Sequence, residues 1–475
     1  MAIVLFATAI ILLWLAGVGL YFLLTREAKQ YCIYELVGLG FLLGTIFIAL
    51  GSMLTSFFLP RSISQGILTL ICLGLGSYGV RVLMQKPARS KGVFSLSEST
   101  LTACGFLHSG IWKILQVVIL LVQLSIVGWV GMNTTLSWDG LVNWEMKAKI
   151  FYEAGGIPKR MLQSEAVAWA HVDYPPLMPL NQAWIYGWLG EANQNAGKLF
   201  CVIFYFIAVL ILLSARKINF AWLMFFTPLT WISDGSSTTG HADFSLAVFY
   251  LAAAKLVYEF AESGEFARLK LLGAISLGLV FVKQDSIVLL MTLLMILPLV
   301  LFVVRRRFTI HYRWISVLLP AVFLYGTWKL SMRLLSPYFS QDFQLTWHRS
   351  WQSFAERLNL VSHFFFWELL NPLHWGAVWL IFFVMLGVII FRLITSKQKT
   401  DFLQNIFPAL TLALLVLIPL SGDFLIYLFI GTTADWLTLD YWLTTSAARL
   451  ILQSSLVALL CIQKLALTQS SEYRL

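Results

Sequence analysis

The chain has 475 residues, of which 59% are hydrophobic and 12% charged, with a mean hydropathy of +0.81. Soluble domains carry about 25% charged and about 45–50% apolar residues, so a water-soluble domain, a disordered chain and a fibrous repeat are excluded. The net charge of +10 follows from basic residues collecting in cytoplasmic loops; no basic stretch with interleaved aromatics points to nucleic acid.

Apolar runs lie near residues 3–24, 36–59, 66–84, 112–131, 199–215, 219–233, 243–260, 271–282, 286–304, 314–334, 374–394, 402–420 and 446–463. A span needs about 20 apolar residues, so the sequence predicts an all-α polytopic membrane protein of about 13 transmembrane helices. The first run lacks a basic flank and a cleavage site and reads as a retained span. Arg26 and Lys29, then Lys86, Arg89 and Lys91, then Arg216 and Lys217 fall in alternate loops. Arg268 and Lys270, then Arg305, Arg306 and Arg307, then Lys397 and Lys399 continue the series. One orientation places all of them in the cytoplasm, with the N-terminus outside.

The complementary loops, 132–198, 234–242, 283–286, 335–373 and 421–445, are then expected outside. The first is a long extracytoplasmic loop with juxtamembrane helices. Within it, 176–190 is apolar but short and reads as an interfacial or re-entrant segment. Five cysteines (Cys32, Cys72, Cys104, Cys201, Cys461) are scattered without CxxC spacing and read as packing residues.

Ionisable residues at span ends concentrate on that outer side: Asp139, Lys147, Asp173, Asp234, His241, Asp243, Lys283, Asp285 and Arg449. Such groups are costly at membrane depth and persist where they pair or line a wet cavity, so a shared polar cavity opening outward is expected. Residues 137–158 read as an amphipathic helix with Leu141, Trp144, Ala148 and Phe151 on one face. Asp139 suits its N-cap. Glu145, Lys149 and Glu153 stand at i,i+4 spacing and read as a solvated ion-pair ladder, which leaves Lys147 without such a partner. Asp139 is thus a candidate base and Lys147 a candidate phosphate clamp.

In HVDYPPLMPL (171–180) the prolines stiffen a loop that presents Asp173 and Tyr174. In SDGSSTTGHADF (233–244) a small-residue loop holds Asp234 and His241, and Asp243 opens a span, where capping also explains it. Lys283 and Asp285 in FVKQDS can neutralise one another. Arg449 lies a turn inside an apolar helix and needs an anionic partner; its planar donors suit phosphate or carboxylate.

WDGLVNWEMKAK, DYPPLMP, HADFSLA, KQDS and YWLTTSAARLILQ, in that order over 138–453, resemble the GT-C superfamily of membrane glycosyltransferases. The likeness is to the bacterial branch related to protein mannosyltransferases and lipid A aminoarabinose and sugar transferases. It makes 112–463 a GT-C-like catalytic region with 132–198 as its catalytic loop; 1–111 forms a three-span region outside the match and 464–475 a cytoplasmic tail. It implies a bacterial inner-membrane enzyme with its active site facing the periplasm. Such an enzyme moves sugar from a polyprenyl-phosphate donor to a glycan, lipid or protein acceptor, usually with inversion. Asp139 would be the base, Lys147, Lys283 and Arg449 the donor-phosphate contacts, and Asp173, Tyr174, Asp234, His241, Asp243 and Asp285 the cavity. No cofactor is required and a divalent metal stays open, although Gly140 stands where protein mannosyltransferases usually carry a second acid, which speaks against metal use and protein acceptors. A lipid-linked glycan flippase and a polysaccharide polymerase or ligase are the competing readings.

Overall fold

In the computed structural model, residues 1–26, 31–85, 110–215, 221–305, 316–338, 343–345, 351–395, 399–432 and 438–472 are described. Lys29, Lys86, Arg89, Lys91, Cys104, Arg216, Lys217, Arg306, Arg307 and Lys397 lie outside them. The helices are α1 (Ala2–Leu24), α2 (Ile33–Ser56), α3 (Arg61–Gln85), α4 (Gly110–Asn133), α5 (Met146–Ala154) and α6 (Lys159–Leu162). Next come α7 (Leu177–Leu189), α8 (Gln194–Ser214), α9 (Ala242–Ser263), α10 (Phe266–Val282), α11 (Ser286–Arg305) and α12 (Leu319–Leu335). The last are α13 (Trp351–Leu369), α14 (Pro372–Trp375), α15 (Val378–Thr395), α16 (Lys399–Phe429) and α17 (Leu439–Glu472). Strands β1 (Phe343–Leu345) and β2 (Ile430–Thr432) pair antiparallel and tie the segment before α13 to the end of α16.

Nine helices among the described residues are long and apolar enough to cross a membrane: α1–α4, α8, α9, α11, α16 and α17. The chain is an integral membrane protein. Helices α10 and α12, of 17 residues each, and the apolar part of α15 (Val378–Phe391) are shorter.

The predicted span 219–233 is not a continuous helix; 221–224 and 228–230 form separate 3₁₀ turns. Pro228 has no N–H to continue a helical ladder. The Thr230 hydroxyl donates to the carbonyls of Met224 (3.0 Å) and Thr227 (2.8 Å), and the hydroxyls of Ser237 and Thr238 donate to those of Thr230 and Trp231. Irregular backbone is tolerated at such a place because protein groups satisfy it.

The 176–190 segment folds as the short helix α7, with most of its side chains buried. Trp184 Nε1 donates to the Ala9 carbonyl (3.3 Å) and Asn181 Nδ2 to that of Thr45 (3.0 Å), which docks α7 on α1 and α2. Helix α9 is hydrophobic all round and buried on nearly every side, as a central helix must be. At its first turn stands Asp243; twelve residues on, about 18 Å along the axis, Lys255 Nζ pairs with Glu35 (2.8 Å) and Glu259 (2.6 Å). Arg268, at the start of α10, joins Glu35 and lies 3.1 Å from Glu259. The bundle therefore carries two separate charge clusters, one at each end of α9.

Candidate functional site

The site is built where α9 and α17 meet the connections 134–145, 233–241 and 283–285. The 233–241 loop docks on the end of α4: Thr134 Oγ1 donates to the Thr238 carbonyl (3.1 Å) and Ser137 N to that of Thr239 (3.1 Å). Gly240 holds a φ of 81°, open to glycine at no steric cost, and lies against Gly140; a side chain on Gly140 would strike the Thr239 carbonyl. Gly235, at φ 86°, presses on the aliphatic stem of Arg449.

Arg449 is the hub. Its Nη1 lies 2.7 Å from Asp139, while Nε (3.1 Å) and Nη2 (2.9 Å) grip Asp243 Oδ2. Lys283 Nζ holds the other Asp243 oxygen at 2.7 Å and reaches Asp285 at 2.8 Å. His241 lies between Asp243 (Nδ1, 3.2 Å) and Asp234 (Nε2, 2.9 Å). Seven of the expected residues, from four separate stretches of sequence, thus form one connected ion network. Asp243 and His241 are buried, whereas Asp139 is 28% and Asp234 64% exposed, so the network opens on the side of those two acids.

Asp139 does not cap a helix. Its backbone is already helical, with no side-chain cap, and its carboxylate is spent on Arg449. Residues 140–145 wind as a π-helix before α5 begins. Such i→i+5 turns are rare and concentrate at functional sites.

The expected Glu145–Lys149 rung is absent for the same reason: Glu145 turns inward, buried, and accepts from Gln182 Nε2 (3.2 Å). Burial pushes its carboxyl up to about 8. Only the outer rung forms, Lys149 to Glu153 at 3.9 Å.

Lys147 stands apart from the network. Its ammonium donates to the His171 carbonyl (2.8 Å) and lies 5.4 Å from the ring centres of both Trp144 and Tyr174. Burial brings its pKa down to about 7, against the opposing pull of Asp173. His171 adopts a φ of 47°, uncommon for a residue with a side chain, and its ring stacks on Tyr174 at 4.6 Å. Tyr174 is half-buried, and its hydroxyl pKa is raised, by loss of water around the hydroxyl first and then by Asp285 and Asp173.

Asp173 Oδ2 lies 3.2 Å from Lys329 of α12, and its backbone carbonyl accepts from Trp328 Nε1 (2.8 Å). Lys329 also bonds Gln284, between Lys283 and Asp285, so this second group abuts the first. The sequence reading missed Lys329, although a lysine inside an apolar run is the signal that singled out Arg449.

In the structure these side chains pair with one another. A cavity of about 50 Å³ lies elsewhere, lined by Ser52, Arg61, Gln65, Phe151, Gly155 and Trp184 among others. Among the described residues no group of three or more His, Cys, Asp or Glu side chains is arranged to hold a metal ion.

Asp234 titrates below the usual carboxylate range, chiefly through its contact with His241. No family model, no curated protein and no solved structure matches this chain.

Proposed function

We propose that the protein is a glycosyltransferase that moves a sugar from a polyprenyl-phosphate donor to an acceptor hydroxyl at the end of the bundle where Arg449 lies. In this reading the site faces the exterior of a bacterial inner membrane. The observation that carries it is the pairing of one guanidinium with two carboxylates of unlike surroundings. Asp243 has both oxygens engaged by Arg449 and Lys283, whereas Asp139 is partly exposed and meets Arg449 alone. Asp243 therefore reads as the anchor and Asp139 as the base.

Transfer with inversion needs three things. The acceptor hydroxyl must lose its proton, the anomeric carbon must be attacked, and the departing phosphate must be stabilised. Asp139 takes the proton; Arg449 and Lys283 face the phosphate oxygens, the electrostatic contribution that is largest in such reactions.

An incoming phosphate competes with Asp139 for the Arg449 guanidinium, which has N–H donors to spare but a single charge to share. Donor binding draws it from Asp139 and frees that carboxylate to act. Lys147, enclosed by aromatic rings, is reassigned from phosphate contact to holding the 171–174 loop in place.

A flippase would need polar groups along a path through the bilayer. The two charge clusters are instead separated by the apolar middle of α9, which favours chemistry at one end.

The test is sugar transfer from a defined polyprenyl-phosphate-sugar by the purified protein and by Asp139→Asn. The variant is expected to lose about 10²–10⁴-fold. Undiminished transfer removes the base assignment, and no transfer by the wild type across a panel of donors removes the reading itself.

A further inference from the structure

We infer that His241 is a charged bridge between Asp234 and Asp243, and that its charge sets the affinity of the Arg449–Lys283 centre for a phosphate anion. The anion class rests on the transferase reading above; the bridge itself rests on geometry.

His241 is 1% exposed and lies directly before α9. Each of its ring nitrogens faces a carboxylate oxygen, at 3.2 Å and 2.9 Å. An ionised carboxylate can only accept hydrogen bonds, and a neutral imidazole has a single N–H. Nδ1 hydrogen-bonds Asp243, whereas Nε2 meets Asp234 off the hydrogen-bond axis, as a close ion-pair contact. A bare nitrogen lone pair 2.9 Å from a carboxylate oxygen would be repelled, so the two contacts together favour the doubly protonated ring.

The groups that face the ring come from three elements: Asp234 from the loop, Asp243 from α9 and Arg449 from α17. Burial pulls the imidazole down, but the two carboxylates outweigh both burial and Arg449, so the proton is held above the ordinary imidazole range. Asp234 is largely in water while Asp243 is sealed, so the ring connects a solvent-exposed acid to the anchor of the site.

The consequence concerns charge. Four carboxylates in the network (Asp139, Asp234, Asp243, Asp285) face two permanent cations, Arg449 and Lys283. The imidazolium halves the remaining excess of two negative charges. When the ring loses its proton the centre becomes more repulsive to an incoming phosphate, so anion affinity falls as pH rises through the pKa of His241.

Two measurements test this. Nitrogen-15 NMR of protein labelled at histidine, without ligand, reads the ring directly. Two protonated nitrogens on His241 near pH 7 are expected, assigned by loss of the signal in His241→Gln; a neutral tautomer overturns the bridge.

Binding of a polyprenyl phosphodiester, whose single charge does not titrate, is then followed from about pH 6 to about pH 9. The wild type is expected to weaken by about tenfold, the scale of one charge at partly screened range. His241→Gln is expected to bind weakly and evenly across the range, and Asp234→Asn to shift the wild-type transition to lower pH. Affinity in the wild type that does not change with pH overturns the coupling. A protein that shows the coupling yet transfers no sugar overturns the transferase reading alone, and a competent transferase with a neutral ring overturns the bridge alone.

Discussion

Glu145 shows how little separates a solvated residue from a buried one. Its spacing to Lys149 marks it as an exposed ion-pair partner, but the π turn shifts it inward against Gln182. A carboxyl held up to about 8, against an ordinary value of 4.5, keeps its proton in the folded state at pH values where the unfolded chain has released it. Its favourable contribution is full below about 4.5 and is lost as pH rises through about 8. Thermal unfolding of Glu145→Gln in detergent is expected to show a flatter pH dependence over that window, with the variant the more stable at the alkaline end. Equal slopes for the two proteins would refute a buried neutral acid. Arg449 was legible in the sequence because a charge inside an apolar run has few explanations, whereas Asp243, at the opening of its span, was equally well explained as a cap. Glu145 was not legible, because nothing in the spacing announces one extra residue in a turn. Which acids Arg449 takes was not legible either, since it and its two partners are joined by folding across hundreds of residues.

At the scale of elements, the long apolar helices could be read directly because each carries enough apolar length to cross a bilayer. The stretch 219–233 could not, for its hydropathy suits a span while Pro228 and the threonines break the ladder. The docking of the 233–241 loop on the π turn was also hidden, although Gly140 and Gly240 are its sequence trace. Gly140→Ala places a methyl group against the Thr239 carbonyl and must push the loop away from Asp139. Overpacking of this kind costs about 1–3 kcal/mol. The expected outcome is a lowered melting temperature together with a fall in transfer larger than that loss of folded protein explains. Unchanged turnover in Gly140→Ala would mean that the contact does not position Asp139, the proposed base.

Across the whole molecule, α9 and α10 share both charge clusters: Asp243 and Lys283 at one end, Lys255 and Arg268 at the other. The distal cluster joins them to Glu35 of α2 and, through Tyr21 (2.9 Å to Glu35), to α1. The first two helices are thereby fastened to the pair that carries the site, a role for the N-terminal region that its sequence did not disclose. Removing one partner of a buried ion pair costs about 3–5 kcal/mol, whereas replacing the whole set by apolar groups is often neutral. Glu35→Gln is therefore expected to lower thermal stability markedly, and Glu35→Leu combined with Lys255→Met to recover much of it, with sugar transfer retained by the folded fraction of each. A melting temperature in Glu35→Gln equal to that of the wild type would mean that α1 and α2 are held by apolar packing alone.

The double grip of Arg449 carries a further consequence for the resting protein. While the guanidinium spans Asp139 and Asp243, a partly exposed carboxylate and a sealed one are held by a single group. A change that displaces Arg449 therefore reaches both acids at once, so in the proposed transferase whatever loosens the base also loosens the anchor.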